Sequence, residues 1–154
     1  NIGDKIPVFS AQDHLGNSIT NQNFLNTWSV IYFYPKDNTP GCTQESCDFR
    51  DQHSEIKNMG AQVFGISKDS SKSHSGFAEK FGLPFPLIVD TETTLCQAFG
   101  VWAEKKNYGK TYMGIVRSTF IINPKGEIAA VYKQVKVKNH VEEVVAELAK
   151  LMKL

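Results

Sequence analysis

The sequence has no hydrophobic run close to the roughly 20 residues that a membrane-spanning helix needs. Residues 1–5 show no hydrophobic segment of a signal peptide, so we expect a cytoplasmic protein in a reducing environment. Lysine and arginine number 17 against 16 acidic residues, and this net charge of +1 favours neither nucleic acid nor an acidic membrane as a partner. No repeat, low-complexity tract or long linker is present, so we predict one domain over residues 1–154.

Cysteine is scarce, and its spacing excludes two common uses. The three cysteines are Cys42, Cys47 and Cys96. An odd number in a chain without a signal peptide is not a disulfide scaffold, and no Cys-x-x-Cys pair occurs. Cysteines that lie close together in a cytoplasmic protein indicate catalysis, redox cycling or metal binding instead.

Strand and helix patterns alternate along the chain. An apolar run over residues 28–34, a helix over 40–59 that stops at Gly60, and a strand over 61–66 predict a parallel strand pair joined through a helix. The other predicted elements are hairpins at 8–20 and 118–132, helices at 70–81 and 94–99, a strand at 87–89, and a last helix with Asn139 and Glu142 as a capping box. The lysines and valines of residues 133–138 predict the polar side of a strand. Together these elements predict an α/β protein of thioredoxin-like fold, with a mixed central sheet, helices on both faces and an N-terminal β-hairpin.

The segment that joins the first buried strand to its helix carries the most specific signal. The strand stops at Pro35, and Thr39-Pro40 predicts a helix N-cap followed by proline at the first helical position. Cys42 then lies in the first turn, where unpaired N–H groups and the helix dipole favour an anion and hence a thiolate. An isolated cysteine more often only packs in a core, but the chemistry of this loop argues against that interpretation.

Cys47 lies five residues further along the same helix. In an intact helix its Cα would be roughly 8–9 Å from that of Cys42. A disulfide needs the two Cα atoms within about 7 Å, so a Cys42–Cys47 bond requires local unwinding. One face of this helix combines the following residues and should pack on the sheet: Cys42, Ser46, Phe49, His53 and Ile56.

Two further residues are candidates for the site. The hydroxyl of Thr39 can accept a hydrogen bond from the helix and can also turn toward a ligand. Arg117 precedes the apolar strand at 118–122 and stands at a strand end, although position alone would favour a surface arginine.

The spacing Pro35-x3-Thr39-x2-Cys42 matches the Pro-x-x-x-Thr-x-x-Cys signature of the peroxiredoxins. The similarity extends over residues 32–43, Glu45 and residues 47–50, and over residues 63–67, 85–87, 100–102, 108–112 and 117–120. On these residues the chain resembles a peroxiredoxin of the bacterioferritin comigratory protein, or Q-type, subfamily.

The resemblance implies a thiol-dependent peroxidase for hydrogen peroxide and organic hydroperoxides that uses no cofactor and no metal. Cys42 would be the peroxidatic cysteine, which attacks as a thiolate and becomes a sulfenic acid. Thr39 and Arg117 would bind the peroxide oxygens, and Pro35 would form a wall that keeps water from the sulfenic acid. Cys47 would be the resolving cysteine, and thioredoxin or a similar dithiol would reduce the resulting intramolecular disulfide. We expect a monomer or a weak homodimer.

Three residues have weaker expectations. The resemblance offers Glu45 as a residue that orients the arginine, although a solvated glutamate is the default at a helix position. Cys96 is expected to be a buried structural thiol, with a resolving role as the alternative because some relatives place that cysteine in a later helix. His53 is expected to be structural.

Two rival functions remain at this point. A thioredoxin-type thiol–disulfide oxidoreductase would fit the fold, but it needs two residues between its cysteines and this chain has four. A non-enzymatic zinc module using Cys42, Cys47 and His53 would match no common zinc spacing. Oxidation of reduced thioredoxin by peroxide tests the first rival, and a metal assay tests the second.

Overall fold

Nine strands and four α-helices alternate along residues 1–153, which are the residues that the computed structural model of the chain describes. The strands are β1 Ser10–Asp13, β2 Ser18–Thr20, β3 Trp28–Phe33, β4 Ala61–Ser67, β5 Leu87–Val89, β6 Trp102–Asn107, β7 Lys110–Ile115, β8 Ser118–Ile122 and β9 Ile128–Lys133. The helices are α1 Pro40–Asn58, α2 Ser71–Phe81, α3 Thr94–Ala98 and α4 His140–Leu151, with a short 3-10 helix at Asn21–Phe24. No helix among these residues is long and apolar enough to cross a bilayer.

Seven of the strands form one mixed sheet in the order β2-β1-β5-β4-β3-β8-β9. Strand β4 pairs in parallel with β3 and with β5, whereas the outer pairs are antiparallel. Helix α1 connects β3 to β4, and α2 connects β4 to β5. The predicted mixed sheet and N-terminal hairpin are therefore confirmed. The carboxyl end of the central strand β3 leads directly into the segment that carries Cys42, at an edge of the sheet where ligands commonly bind.

Helices pack on both faces of this sheet, as the sequence predicts. Along β3, Val30 and Tyr32 face one core cluster, whereas Ile31 and Phe33 face the other. The first cluster contains residues of α1, α2 and α4, and the second contains residues of α3 and of the 3-10 helix. Each face of the sheet is thus covered by its own hydrophobic core.

Two predicted local features are wrong. Asn139 occupies the N-cap position of α4, but its φ of 62° turns it into the left-handed region and its side chain makes no capping hydrogen bond. The strand predicted over residues 133–138 ends at Lys133 because Gln134 adopts a φ of 51°, which breaks the extended conformation. The amide of Val135 then donates to the carbonyl oxygen of Arg117, so this bend helps to fix the backbone of Arg117.

A second, two-stranded sheet formed by β6 and β7 was not predicted from the pattern of residues. The two strands pair antiparallel and are joined by Tyr108 and Gly109, which both have positive φ, as a tight two-residue hairpin turn requires. The ribbon is largely exposed, so it lacks the apolar alternation that reveals a strand. It ends at Ile115 and delivers the chain to Arg117.

Candidate active site

Cys42 lies in the first turn of α1, as predicted, and its side chain is completely buried. Thr39 occupies the N-cap position with Pro40 at the start of the helix, and the amide of Thr43 donates to the carbonyl oxygen of Thr39 at 2.8 Å. The sulfur belongs to the core cluster that also contains Tyr32. The Cys42 thiol is therefore held beside the unpaired amides of a helix start and is shielded from bulk water.

Arg117 extends from the strand end before β8 across the first turn of α1. Its Nη2 donates to Cys42 Sγ at 3.4 Å, and its Nη1 donates to Glu45 Oε1 at 2.7 Å. A Cβ atom at Gly41 would lie only 3.1 Å from Nη2, so glycine leaves the room that the guanidinium occupies. Cys42 and Arg117, which are two of the site residues predicted from the sequence, are thus in direct contact although 75 positions separate them.

The guanidinium is a permanent cation in this position. Burial alone would lower the pKa of Arg117, but the nearby Glu45 carboxylate and Cys42 sulfur raise it above its ordinary value. A charged N–H donor forms a stronger hydrogen bond with a thiolate than with a neutral thiol. The contact therefore places a cationic hydrogen-bond donor directly against the sulfur.

Glu45 is fully buried, so the default expectation of a solvated helix glutamate is wrong for this residue. Burial raises its pKa to about 7, even though the Arg117 guanidinium acts to lower it. Only Oε1 is paired, and Oε2 is buried without a hydrogen-bond partner among the residues of the structure. The sequence signal for a role of Glu45 in the site was its position three residues after Cys42, because residues three apart on a helix are neighbours. Glu45 fixes one arm of the guanidinium while the other arm faces the sulfur.

The hydroxyl of Thr39 points away from the helix. It donates to the carbonyl oxygen of Lys36 at 2.8 Å and makes no side-chain capping bond, so the expected acceptance from a helix amide is wrong. A hydroxyl whose one hydrogen is already donated can only accept from a further partner. Pro35 is half-buried at the start of the same loop. Within residues 1–153, neither Thr39 nor Pro35 has a hydrogen bond to Cys42.

Cys47 lies within the continuous helix α1, on a half-buried face. Burial raises its pKa, and Asp51 and Asp48 add to this effect while Arg50 opposes it. Cys42 and Cys47 are both free thiols, which agrees with a helix that must unwind before they can bond.

Cys96 is buried in α3, and its thiol belongs to the core cluster on the opposite face of the sheet from Cys42. Burial, a hydrogen bond with Asp90 and the charge of Asp90 raise the pKa of Cys96 far above its ordinary value. A protonated thiol behind the sheet agrees with the expected structural role.

The cysteine and histidine side chains of the zinc alternative do not form a cluster. His53 is half-buried, with its ring centroid 5.9 Å from that of Phe85, which agrees with a packing role. Among the described residues, the potential metal ligands that lie within 4.8 Å of one another are Asp37, Asp69 and His74. Sequence reasoning did not single out these three residues.

Comparison with known proteins assigns the class. Residues 2–131 match the model of the AhpC/TSA family, so the chain belongs to this family, which comprises thioredoxin-fold peroxiredoxins. Thiol peroxidase activity is the general function that this membership supports. The thioredoxin-like fold that the sequence predicted is thereby confirmed.

Comparison with individual relatives narrows the assignment from the family to one group within it. Peroxiredoxin Bcp of Bacillus subtilis (strain 168) is 46% identical over 147 residues, which are 96% of this chain and 94% of the relative. A structure of Xanthomonas campestris Peroxiredoxin Q has a TM-score of 0.90 and 42% identity and covers 94% of this chain and 91% of that one. A structure of the Xanthomonas campestris bacterioferritin comigratory protein was solved to explain the alkyl peroxide reduction activity of that protein. It has a TM-score of 0.90 and 42% identity, and the match covers 94% of this chain and 92% of that one. Within the family, the chain therefore belongs to the Bcp, or Q, group.

Proposed function

We propose that this chain reduces hydrogen peroxide and organic hydroperoxides with Cys42 as the attacking cysteine and Cys47 as the resolving cysteine. The observation that carries the proposal is the guanidinium of Arg117, which lies 3.4 Å from the buried Cys42 sulfur and is held by Glu45. The alkyl peroxide reduction activity of the Xanthomonas campestris relative supports the inclusion of organic hydroperoxides.

In the first step the Cys42 thiolate attacks the terminal oxygen of the peroxide. The S–O bond forms as the O–O bond breaks, and the departing oxygen takes a proton and leaves as water or an alcohol. The N–H groups of Arg117 stabilise the negative charge that develops on the peroxide oxygens. Thr39 accepts a hydrogen bond from the peroxide O–H, since its own hydrogen is donated to Lys36. Pro35 limits the access of water from the loop side.

In the second step the Cys47 thiol attacks the sulfur of the Cys42 sulfenic acid, and water leaves as the disulfide forms. Both cysteines lie in α1, so the first turns of this helix must unwind to bring the two sulfur atoms together. A dithiol such as reduced thioredoxin then attacks the disulfide, which returns both cysteines to thiols and oxidises the dithiol.

Single cysteine variants test this assignment. Cys42→Ser should abolish peroxide-dependent oxidation of thioredoxin, because no nucleophile remains. Cys47→Ser should still react once with peroxide and then stall as a sulfenic acid, which mass spectrometry of the intact protein detects. Cys96→Ser is the matched control and should turn over normally, because Cys96 lies on the other face of the sheet.

Three results would contradict the proposal. Substantial turnover by Cys42→Ser would exclude it as the attacking cysteine. Normal cycling by Cys47→Ser together with stalled cycling by Cys96→Ser would transfer the resolving role to Cys96. Reduction of a protein disulfide by the wild type without any peroxide consumption would instead favour the thioredoxin-type oxidoreductase.

A further inference from the structure

A buried carboxylate lies in the β3–α1 loop, close to the candidate active site. Asp37 precedes Thr39 by two positions and is only 4% exposed. Its Oδ1 accepts from the Tyr34 hydroxyl at 2.6 Å, and its Oδ2 accepts from Ser73 Oγ at 2.8 Å. The same Oδ2 lies 2.8 Å from Nδ1 of His74, which is completely buried. Side chains from β3–α1 and α2 thus converge on a single carboxylate.

Hydrogen bonds hold the ring of His74 from two sides. Its Nε2 faces the carbonyl oxygen of Ile88 at 3.1 Å, and its Nδ1 faces Asp37. The hydroxyl of Tyr34 is also 3.4 Å from Nδ1, but its hydrogen is donated to Asp37. Burial alone would raise the pKa of Asp37, but hydrogen bonds from His74, Tyr34 and Ser73 hold it below its ordinary value. Both ring nitrogens of His74 therefore have buried hydrogen-bond partners, one of which is the Asp37 carboxylate.

The backbone of Asp37 is held as well. Its amide donates to Asp69 Oδ2 at 2.9 Å, and the same oxygen accepts from Ser67 Oγ at the end of β4. Asp37, Asp69 and His74 offer metal-ligand chemistry, but both oxygens of Asp37, both nitrogens of His74 and Oδ2 of Asp69 already have hydrogen-bond partners. These hydrogen bonds therefore fix the β3–α1 loop in place.

Asp37 lies next to the segment that must unwind in the proposed catalytic cycle. Asn38, directly after Asp37, has a φ of 64°, and the chain then reaches Thr39 and the first turn of α1. The unwinding that brings Cys42 to Cys47 must therefore begin next to a point that is fixed to α2. Loss of the Asp37 carboxylate would leave buried polar groups of α2 and of Tyr34 with weakened or missing partners, which favours rearrangement of the loop.

We propose that Asp37 and His74 are positioning residues, whose buried hydrogen bond holds the β3–α1 loop and the start of α1 in the peroxide-reactive conformation. The pair thereby opposes the unwound conformation in which Cys42 meets Cys47. The proposal rests on the function proposed above for these two cysteines. It predicts that weakening the pair slows the reaction with peroxide and speeds disulfide formation, whereas a general loss of stability would not move the two rates in opposite directions.

The test compares Asp37→Asn with Asp90→Asn in the full chain. Asp90 is a matched control because it is also a buried carboxylate, but it accepts from the amides of Leu95 and Cys96 at the start of α3. In reduced Asp37→Asn, we expect amide hydrogen exchange in residues 40–47 to accelerate about tenfold or more, as the loss of a hydrogen bond to a charged group allows. Exchange in α4 should remain unchanged, and Asp90→Asn should accelerate exchange only in and near α3.

Single-turnover kinetics provide the second readout. After addition of peroxide, the first oxidation of Asp37→Asn should slow several-fold, and its conversion to the disulfide should accelerate by a similar factor. Wild-type exchange and wild-type rates in Asp37→Asn would overturn the proposal. An equal shift in Asp90→Asn would also overturn it, because the effect would then be general.

Two further outcomes remain decisive. If Asp37→Asn does not fold, Ser73→Ala removes only one donor to the carboxylate, and the absence of faster exchange in residues 40–47 of that variant would overturn the proposal. If the wild type does not react with peroxide, the proposed function fails, whereas the exchange experiment still decides whether Asp37 anchors the loop.

Discussion

Replacement of Glu45 by glutamine removes a buried negative charge while it keeps the shape of the side chain. Burial raises the pKa of this carboxyl from 4.5 to about 7. The difference of about 2.5 pH units corresponds to about 3 kcal/mol at 1.36 kcal/mol per unit. Because the folded-state pKa is the higher one, the protein has this stability below pH 4.5 and loses it as the pH rises through 7. The charged form of Glu45 thus destabilises the folded protein at alkaline pH.

Glu45→Gln should therefore equal the wild type in stability near pH 4.5 and become more stable as the pH rises, by about 3 kcal/mol above roughly pH 8. Urea unfolding of the reduced protein across this range measures the difference. Glu55→Gln is the control, because Glu55 is exposed on the same helix and should show no such trend.

The same substitution should reduce activity. A neutral amide holds the guanidinium less firmly than a carboxylate does, so we expect the first reaction with peroxide to slow about fivefold to tenfold. The reasoning is refuted if Glu45→Gln is less stable than the wild type at high pH, since the pairing with Arg117 would then outweigh the cost of burial. It is also refuted if the variant reacts with peroxide at the wild-type rate.

Two further predictions concern Arg117 and His140. Arg117→Lys keeps a positive charge but cannot donate at once to Glu45 and Cys42 with the fixed fork of a guanidinium, so stopped-flow measurement should show a reaction with peroxide about 100-fold slower, and an unchanged rate would exclude the proposed role. His140 is buried next to Thr119, at 2.8 Å from Nε2 to Oγ1, and burial, with a contribution from Arg117, lowers its pKa to about 4 from 6.5. Because the folded-state pKa is the lower one, the associated stability is present above pH 6.5 and is lost as the pH falls through 4, by about 3 kcal/mol in all. Urea unfolding of His140→Phe should lack this acid-dependent decline, and an identical decline in both proteins would contradict the assignment.

The order of β3, α1 and β4 was readable from the sequence because each element carries a local signal. The apolar run ends at Pro35, the helix begins at Pro40, and Gly60 ends the connection with a φ of 90°. The β6–β7 ribbon has no comparable signal, since both its faces are largely exposed. Only the two-residue turn at Tyr108-Gly109 indicates it.

A residue of the candidate site could be predicted where its role follows from its position in a local element, as it does for Cys42 in the first turn of α1. It was not predictable from the pattern of residues alone where a partner arrives from a distant strand, and Arg117 and Glu45 entered the prediction only through the resemblance to a family. The burial of Glu45 depends on Arg117, which lies 72 positions away, and no periodicity within α1 reveals that partner. The buried hydrogen bond between Asp37 and His74 has the same origin, because it joins a loop to a helix 37 positions further along. A charged residue in a helical pattern is therefore assigned to the surface unless its partner is known.

The proposed cycle places two opposed requirements on the start of α1, which must be wound for the reaction with peroxide and unwound for disulfide formation. Thr39 makes no side-chain capping bond, which leaves the first turn without a contribution of typically about 1 kcal/mol. The contact of Arg117 with the Cys42 sulfur helps to hold the turn instead. That hydrogen bond is strong for a thiolate and weaker for a neutral sulfenic acid. In the proposed cycle, oxidation of Cys42 would therefore weaken a contact that keeps the helix wound, so the first chemical step would itself lower the free-energy cost of the unwinding that the second step needs.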